Sequence, residues 1–196
     1  MKQQSITQDI ILTFLKDVYF RNWRKEEGKK DDYAAYRAAG GRAYRDFCRT
    51  IQGMRKDNKK KELKNIIYIE IFTSLEKAAP KTQKDFDEWH HNMCEQIIEK
   101  YRTTAKLNYG QAQKWLNMAM KYAIVLEIPQ AMAVISFMHV PVDNIVLGLL
   151  ENEVKPSSAD PWSQWEYNTY FKFQKDLRDH LKGKQAPIVW EFTHWH

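Results

Sequence analysis

Residues 108–127, NYGQAQKWLNMAMKYAIVLE, constrain the fold more than any other stretch of this chain. Trp115, Leu116, Ala119, Tyr122, Ala123 and Leu126 recur at the spacing of one helical face. Gln113, Asn117 and Lys121 follow one another at intervals of four, with Lys114 beside them. The spacing predicts one long helix with an apolar stripe and an opposite face carrying two amides and two lysines. Such a stripe must be covered by other elements, and the polar face is a candidate site.

The flanking sequence supplies helices to cover it. Seven Gly and six Pro in 196 residues leave room for long helices and few tight turns, which disfavours an all-β fold. A first helix is expected over 5–27, with Ser5 as cap and Ile11, Leu12, Leu15 and Tyr19 as a buried stripe. A second is expected over 31–55, with Gly40 and Gly41 marking either a close crossing of helices, the favoured reading, or a break into two helices. Residues 65–72, NIIYIEIF, alternate like a strand, but helix-forming flanks place 61–78 in a helix. Thr82 and Asp85 cap a helix over 82–103. Residues 131–140 form a short apolar segment, Pro141 begins a helix over 142–150, and a last clear helix spans 162–182. Residues 186–196 form an extended tail or a final turn. The expected fold is all-α: a single bundle-like domain of six to eight helices over 1–196, strongly basic over 1–64, with a helical core over 82–182.

Charge is unevenly distributed. Residues 1–64 hold 17 Lys and Arg against 9 Asp and Glu, and the rest hold 14 against 16. The positive field of the first third suggests an anionic partner, nucleic acid or an acidic protein. Arg42, Arg45, Arg49 and Lys56 fall along one side of the second helix, and Lys59 and Lys60 follow in a lysine-rich loop. Cys48 and Cys94 lie far apart without metal-binding spacing and read as buried thiols of a reducing compartment. Neither a transmembrane segment nor a signal peptide is expected, so no membrane partner is, and the expected location is cytoplasmic.

Candidates for chemistry are sparse. Glu88 and His91 form the E-x-x-H half of a helical di-metal site, but a second half is not found. His90 sits near the apolar stripe as a packed histidine. His139 and Asp143, spaced by Pro141, could act as an acid–base pair. His194 and His196 form H-x-H near the C-terminus. Phosphate-loop, dinucleotide, nucleophile-elbow and zinc-finger motifs do not occur, and no cofactor is expected.

The residues Tyr109-Gly110-x-Ala112-Gln113-Lys114, Asn117, Lys121-Tyr122, then His139-x-Pro141-x-Asp143 and the later Trp162, resemble an uncharacterised bacterial family of similar length. The likeness covers about residues 86–181. It implies a bacterial or phage origin and one possible site at Gln113, Lys114, Asn117, His139 and Asp143, and carries no activity with it. The leading expectation is a binding protein that meets nucleic acid or an acidic partner through its basic third. The alternative is an enzyme acting on an anionic nucleotide or nucleic acid, with His139 and Asp143 beside Lys114 or Lys121.

Overall fold

The helix expected over 108–127 is α5, Tyr109–Val125, and it runs through the middle of the molecule in a computed structural model of the chain. The structure describes residues 7–24, 33–51 and 58–195; side chains are described in these except for 58–62 and 65. Every described helix is α or 3₁₀, and strands are absent among the described residues. The other α-helices are α1 (Gln8–Phe20), α2 (Ala34–Phe47), α3 (Asn58–Ala78), α4 (Gln83–Tyr101), α6 (Pro129–Met132), α7 (Asn144–Leu149), α8 (Tyr167–Leu181) and α9 (Pro187–His194). Short 3₁₀ turns lie at Cys48–Thr50, Ile135–Phe137 and Trp162–Gln164. They pack into one all-α, bundle-like body.

Helix α5 lies against α2 most extensively, then against α4, the Trp162–Gln164 turn, α6 and α8. Trp115 is its fully buried pivot. The indole stacks on Phe47 at 4.9 Å between ring centroids, while Tyr44, Tyr68 and Tyr101 meet it edge-on at 5.5–6.0 Å. Such aromatic pairs add about 0.5–1.5 kcal/mol each beyond their buried area. Gly40 permits the crossing of α2 and α3, because a Cβ there would stand 2.4 Å from the ring of Tyr68. Residues 65–72 are helical, since Ile67, Ile71, Phe72 and Leu75 fall on one buried face of α3.

Local signals locate several ends. Thr82 and Asp85 form a reciprocal capping box at α4, and Asn108 and Gln111 form another at α5. Asp143 caps α7 by accepting from the amides of Ile145 and Val146. Helix α7 therefore begins after Asp143 rather than at Pro141.

Four expectations are corrected. Helix α1 is capped by Thr7 and ends at Phe20, short of residue 27, and Ser5 lies outside the described residues. Its stripe is not buried: Ile11, Leu12, Leu15 and Tyr19 stay 41–55 % exposed, and Phe20 alone of α1 is buried. The helix touches the body along one edge, so its apolar width exceeds what the body can cover. Helix α2 starts at Ala34 and gives way to a 3₁₀ turn after Phe47, which carries Arg49 off the regular α-helical row of Arg42 and Arg45. Finally, residues 187–194 form helix α9 rather than an extended tail, started by Pro187, whose missing N–H is no loss in a first turn. His194 stacks on Trp190 there, and His196 lies outside the described residues.

Candidate functional site

Two polar assemblies surround α5, one dry and one open to solvent. The dry one begins with the polar face of α5. Gln113, Lys114, Asn117 and Lys121 are all buried, because the segment 138–143, α8 and α9 close over them. Met138, His139, Val140, Pro141 and Val142 form an uncoiled strip with no regular structure of its own. Its buried backbone needs partners, and two glutamines provide them. Gln113 accepts from the amide of Val142 and donates to its carbonyl, at 3.2 and 2.9 Å. Gln174 of α8 does the same for Val140, at 3.2 and 2.8 Å. Each side chain thus takes the place of a neighbouring strand. Pro141, between them, has no N–H to satisfy.

Hydrogen-bond chemistry fixes the protons in the rest of the assembly. Asp87 Oδ1 accepts from His139 Nε2 at 2.7 Å, so His139 Nδ1 is the unprotonated nitrogen and accepts from the Tyr170 hydroxyl at 2.8 Å. The Tyr170 oxygen in turn accepts from Asn117 Nδ2 at 2.8 Å. Asn117 Oδ1 accepts from His90 Nε2 at 3.0 Å, and the Cys94 thiol lies 3.8 Å from His90 Nδ1. The result is one directional chain from Cys94 in the core to Asp87 near the surface. Burial drives the pKa of His90 well below the ordinary value, with the neighbouring His139 adding to the effect. Burial also lowers His139, against the opposing pull of Asp87. Both imidazoles are therefore neutral at neutral pH. Burial alone would raise the Asp87 carboxyl, but the hydrogen bond from His139, with Gln83 and Arg178 beside it, holds it below the ordinary value.

His139 and Asp143 do fold over the 113–121 face, yet they do not face each other as an acid–base pair. Both ring nitrogens of His139 are engaged inside the protein, and the side chain is buried. Asp143 pairs instead with Lys114 while it caps α7. Lys121 pairs with the fully buried Glu191 of α9 at 2.7 Å and lies 4.0 Å from the Trp195 ring centre. Burial raises the Glu191 carboxyl, and Lys121 opposes that shift. This assembly fastens segments together and encloses both histidines, while Lys114 and Asp143 border the cleft described next. Glu88 is exposed and lies 3.8 Å from Lys84, while His91 packs 4.0 Å from the Tyr167 ring. No group of metal-ligating side chains occurs among the described residues.

The open assembly is a cleft of about 400 Å³ between α1, α2, α5, the start of α7 and the C-terminal end of the described chain. Arg42 and Arg49 stand on one wall and Lys114 and Asp143 on the other, so two separately expected sets of residues meet here. Tyr19, Tyr122, Trp162 and Trp195 provide aromatic surface. Arg42 donates to the Tyr19 hydroxyl at 2.7 Å and lies 3.9 Å from a Tyr19 ring centre. Asp46 accepts from the Tyr122 hydroxyl at 2.6 Å and pairs with Arg49 at 3.2 Å. The aromatic walls were missed at the sequence level, because Tyr19, Trp162 and Trp195 lie more than 30 residues from one another and in three different elements. Arg45 is exposed but outside the cleft, Lys59 and Lys60 fall in the first turn of α3 rather than in the expected loop and their side chains are not described, and Lys56 lies outside the described residues.

Comparison of the chain with protein-family models, with curated proteins and with solved structures returns no match. Among the described residues no helix is long and apolar enough to cross a membrane.

Proposed function

We propose that this is a binding protein for single-stranded nucleic acid, with a phosphate held by Arg42 and Arg49 and a base stacked against the aromatic surface of the cleft. The supporting observation is the meeting of Arg42 and Arg49 with Trp162 and Trp195 in one open cleft of about 400 Å³. Cations that track a backbone beside rings that accept any base are the two components of sequence-tolerant single-strand binding. The cleft falls within the range of small-ligand sites, roughly 300–1,000 Å³. Its ion pairs are compatible with this use. Arg49 is largely exposed and its pair with Asp46 is a surface one, which costs little to exchange for a phosphate. The strong positive balance of residues 1–64 would draw the strand in. The setting proposed with it is the bacterial or phage one implied by the motif resemblance. Catalysis by His139 has no support in this geometry, because its imidazole is enclosed and fully engaged.

The test is titration of labelled oligo-dT and oligo-rU into the full chain at about 50 mM salt, followed by a salt series. Binding should weaken with log salt at a slope of about −0.7 per phosphate contacted. Replacing Arg42 and Arg49 together by Ala should weaken it at least tenfold and flatten the slope. Trp195→Ala should cost about 1–3 kcal/mol of binding while leaving the slope unchanged. Absence of binding at low salt, or binding indifferent to all three substitutions, rejects the proposal. Salt-sensitive binding of polyglutamate without binding of oligonucleotide transfers the cleft to an acidic protein partner.

A further inference from the structure

Helix α1 exposes its apolar side chains to a degree unmatched elsewhere among the described residues. Ile10, Ile11, Phe14, Leu15 and Val18 are between 47 and 63 % exposed. Two charged groups of α1, Lys16 and Asp17, are engaged within the protein. Lys16 is turned inward to Glu127 at 3.2 Å, and Asp17 accepts from Trp23 and Arg24 at 2.8 and 3.2 Å. What points outward is a carbon-only stripe at the i, i+3, i+4, i+7 spacing of a helix–helix contact. It continues inward into an apolar groove of about 530 Å³, floored by Met118, Tyr122 and Val125 of α5 and closed by Phe192 and Trp195.

We infer that α1 is the contact face of a two-fold homodimer, formed by antiparallel packing of α1 from two copies of this chain. Three observations select a second copy over other occupants. First, the stripe is self-complementary. Positions 10-14-18 and 11-14-15-18 read the same from either end, so an antiparallel copy sets the Ile10 end of one helix against the Val18 end of the other. Phe14 then lies near the axis, as an isologous contact requires. Second, the area is sufficient. Five large apolar side chains, each about half exposed, present roughly 500 Å² per copy or about 1,000 Å² for the pair, and the adjoining groove adds the remainder. That reaches the lower limit of specific interfaces. Third, the charge is wrong for a lipid surface. The helix carries Asp9, Lys16 and Asp17, whereas an interfacial helix sets Lys and Arg beside its apolar face.

The experiment is sedimentation equilibrium on the full chain between about 1 and 100 µM. The wild-type chain should sediment as a dimer. Phe14→Glu combined with Val18→Glu should weaken self-association about thirtyfold or more, with an unchanged circular-dichroism spectrum. Ile66→Glu, at a half-exposed isoleucine on α3, should leave the dimer intact. Phe14→Cys should form a covalent dimer on oxidation, since Cys48 and Cys94 are buried. A wild-type monomer throughout this range overturns the inference. So does a dimer unaffected by the double substitution, or a Phe14→Cys chain that does not cross-link. A monomer that floats with anionic vesicles assigns the face to membranes instead. None of these readouts involves nucleic acid, so the dimer and the cleft stand or fall separately.

Discussion

Helices α5 and α1 invert the usual relation between polarity and burial, in opposite directions. Helix α5 encloses two amides and two lysines. Helix α1 leaves isoleucine, leucine and phenylalanine in water. The difference lies in the partners. Around α5 every buried amide finds complementary groups: Gln113 on Val142, Asn117 on His90 and Tyr170. A fully matched polar network specifies one arrangement of its parts, because a half-matched one is heavily penalised. Around α1 the body offers one edge only, and apolar surface without a cover is the physical mark of an interaction face. Burial in this molecule therefore follows from what is available to contact, and residue type alone does not decide it.

The comparison can be broken first at its most crowded point. A Cβ on Gly110 would stand 2.0 Å from the carbonyl oxygen of Trp162, a backbone atom that has little room to retreat. Gly110→Ala should destabilise the fold by about 3 kcal/mol, read as a lowered denaturant midpoint. Asn117→Ala should follow at about 2–3 kcal/mol, because it leaves His90 Nε2 only the Tyr170 oxygen at 3.2 Å and removes the amide that bridges Gln113 and Tyr170. An unchanged melting curve for Asn117→Ala would mean that the assembly contributes no more to stability than solvated polar groups do.

The same network predicts a pH dependence. Both His90 and His139 have folded pKa values below the unfolded value of about 6.5. As pH falls, the unfolded chain therefore takes up protons first, so stability is held above about pH 6.5 and lost below it. Asp87, also lowered, adds to the loss below about pH 4. Glu191 is raised and has the reverse sign, its contribution fading as pH rises through its folded value. Thermal melts from pH 7.5 to 5 should show the decline, and a His90→Gln, His139→Gln chain should show a flatter one. Smaller again is Thr82→Ala, which removes half of a capping box and should cost about 1 kcal/mol. At the other extreme, Phe14→Ser in dilute protein should change stability by no more than about 0.5 kcal/mol. A larger loss would place α1 in the core after all.

Much of the fold was legible because its signals are local. The Thr82 cap and the stripe around Trp115 depend on residues within one or two turns. Helical 65–72 was legible through its flanks. The burial of α1 was misread because hydrophobic periodicity states that a helix has an apolar face, while its neighbours decide whether that face is covered. The site was half legible. Gln113, Lys114, Asn117, His139 and Asp143 do converge, but the pairing of Lys114 with Asp143 spans 29 residues and that of His139 with Asp87 spans 52. Spacing along the chain contains no trace of such partners. Pro141 read as a helix start because its φ suits a first turn; the structure uses its missing N–H instead.

The amide of Gly110 donates to the carbonyl of Trp165 at 2.8 Å, across 55 residues of chain. The first turn of the central helix is thus closed by a segment made much later, and its far end is held through Lys121 by Glu191, near the last described residue. The middle of the molecule can therefore close only once α8 and α9 are in place. Without them Asn117 loses the Tyr170 hydroxyl and Lys121 loses the Glu191 carboxylate, so the order of assembly runs from the later helices back to the centre.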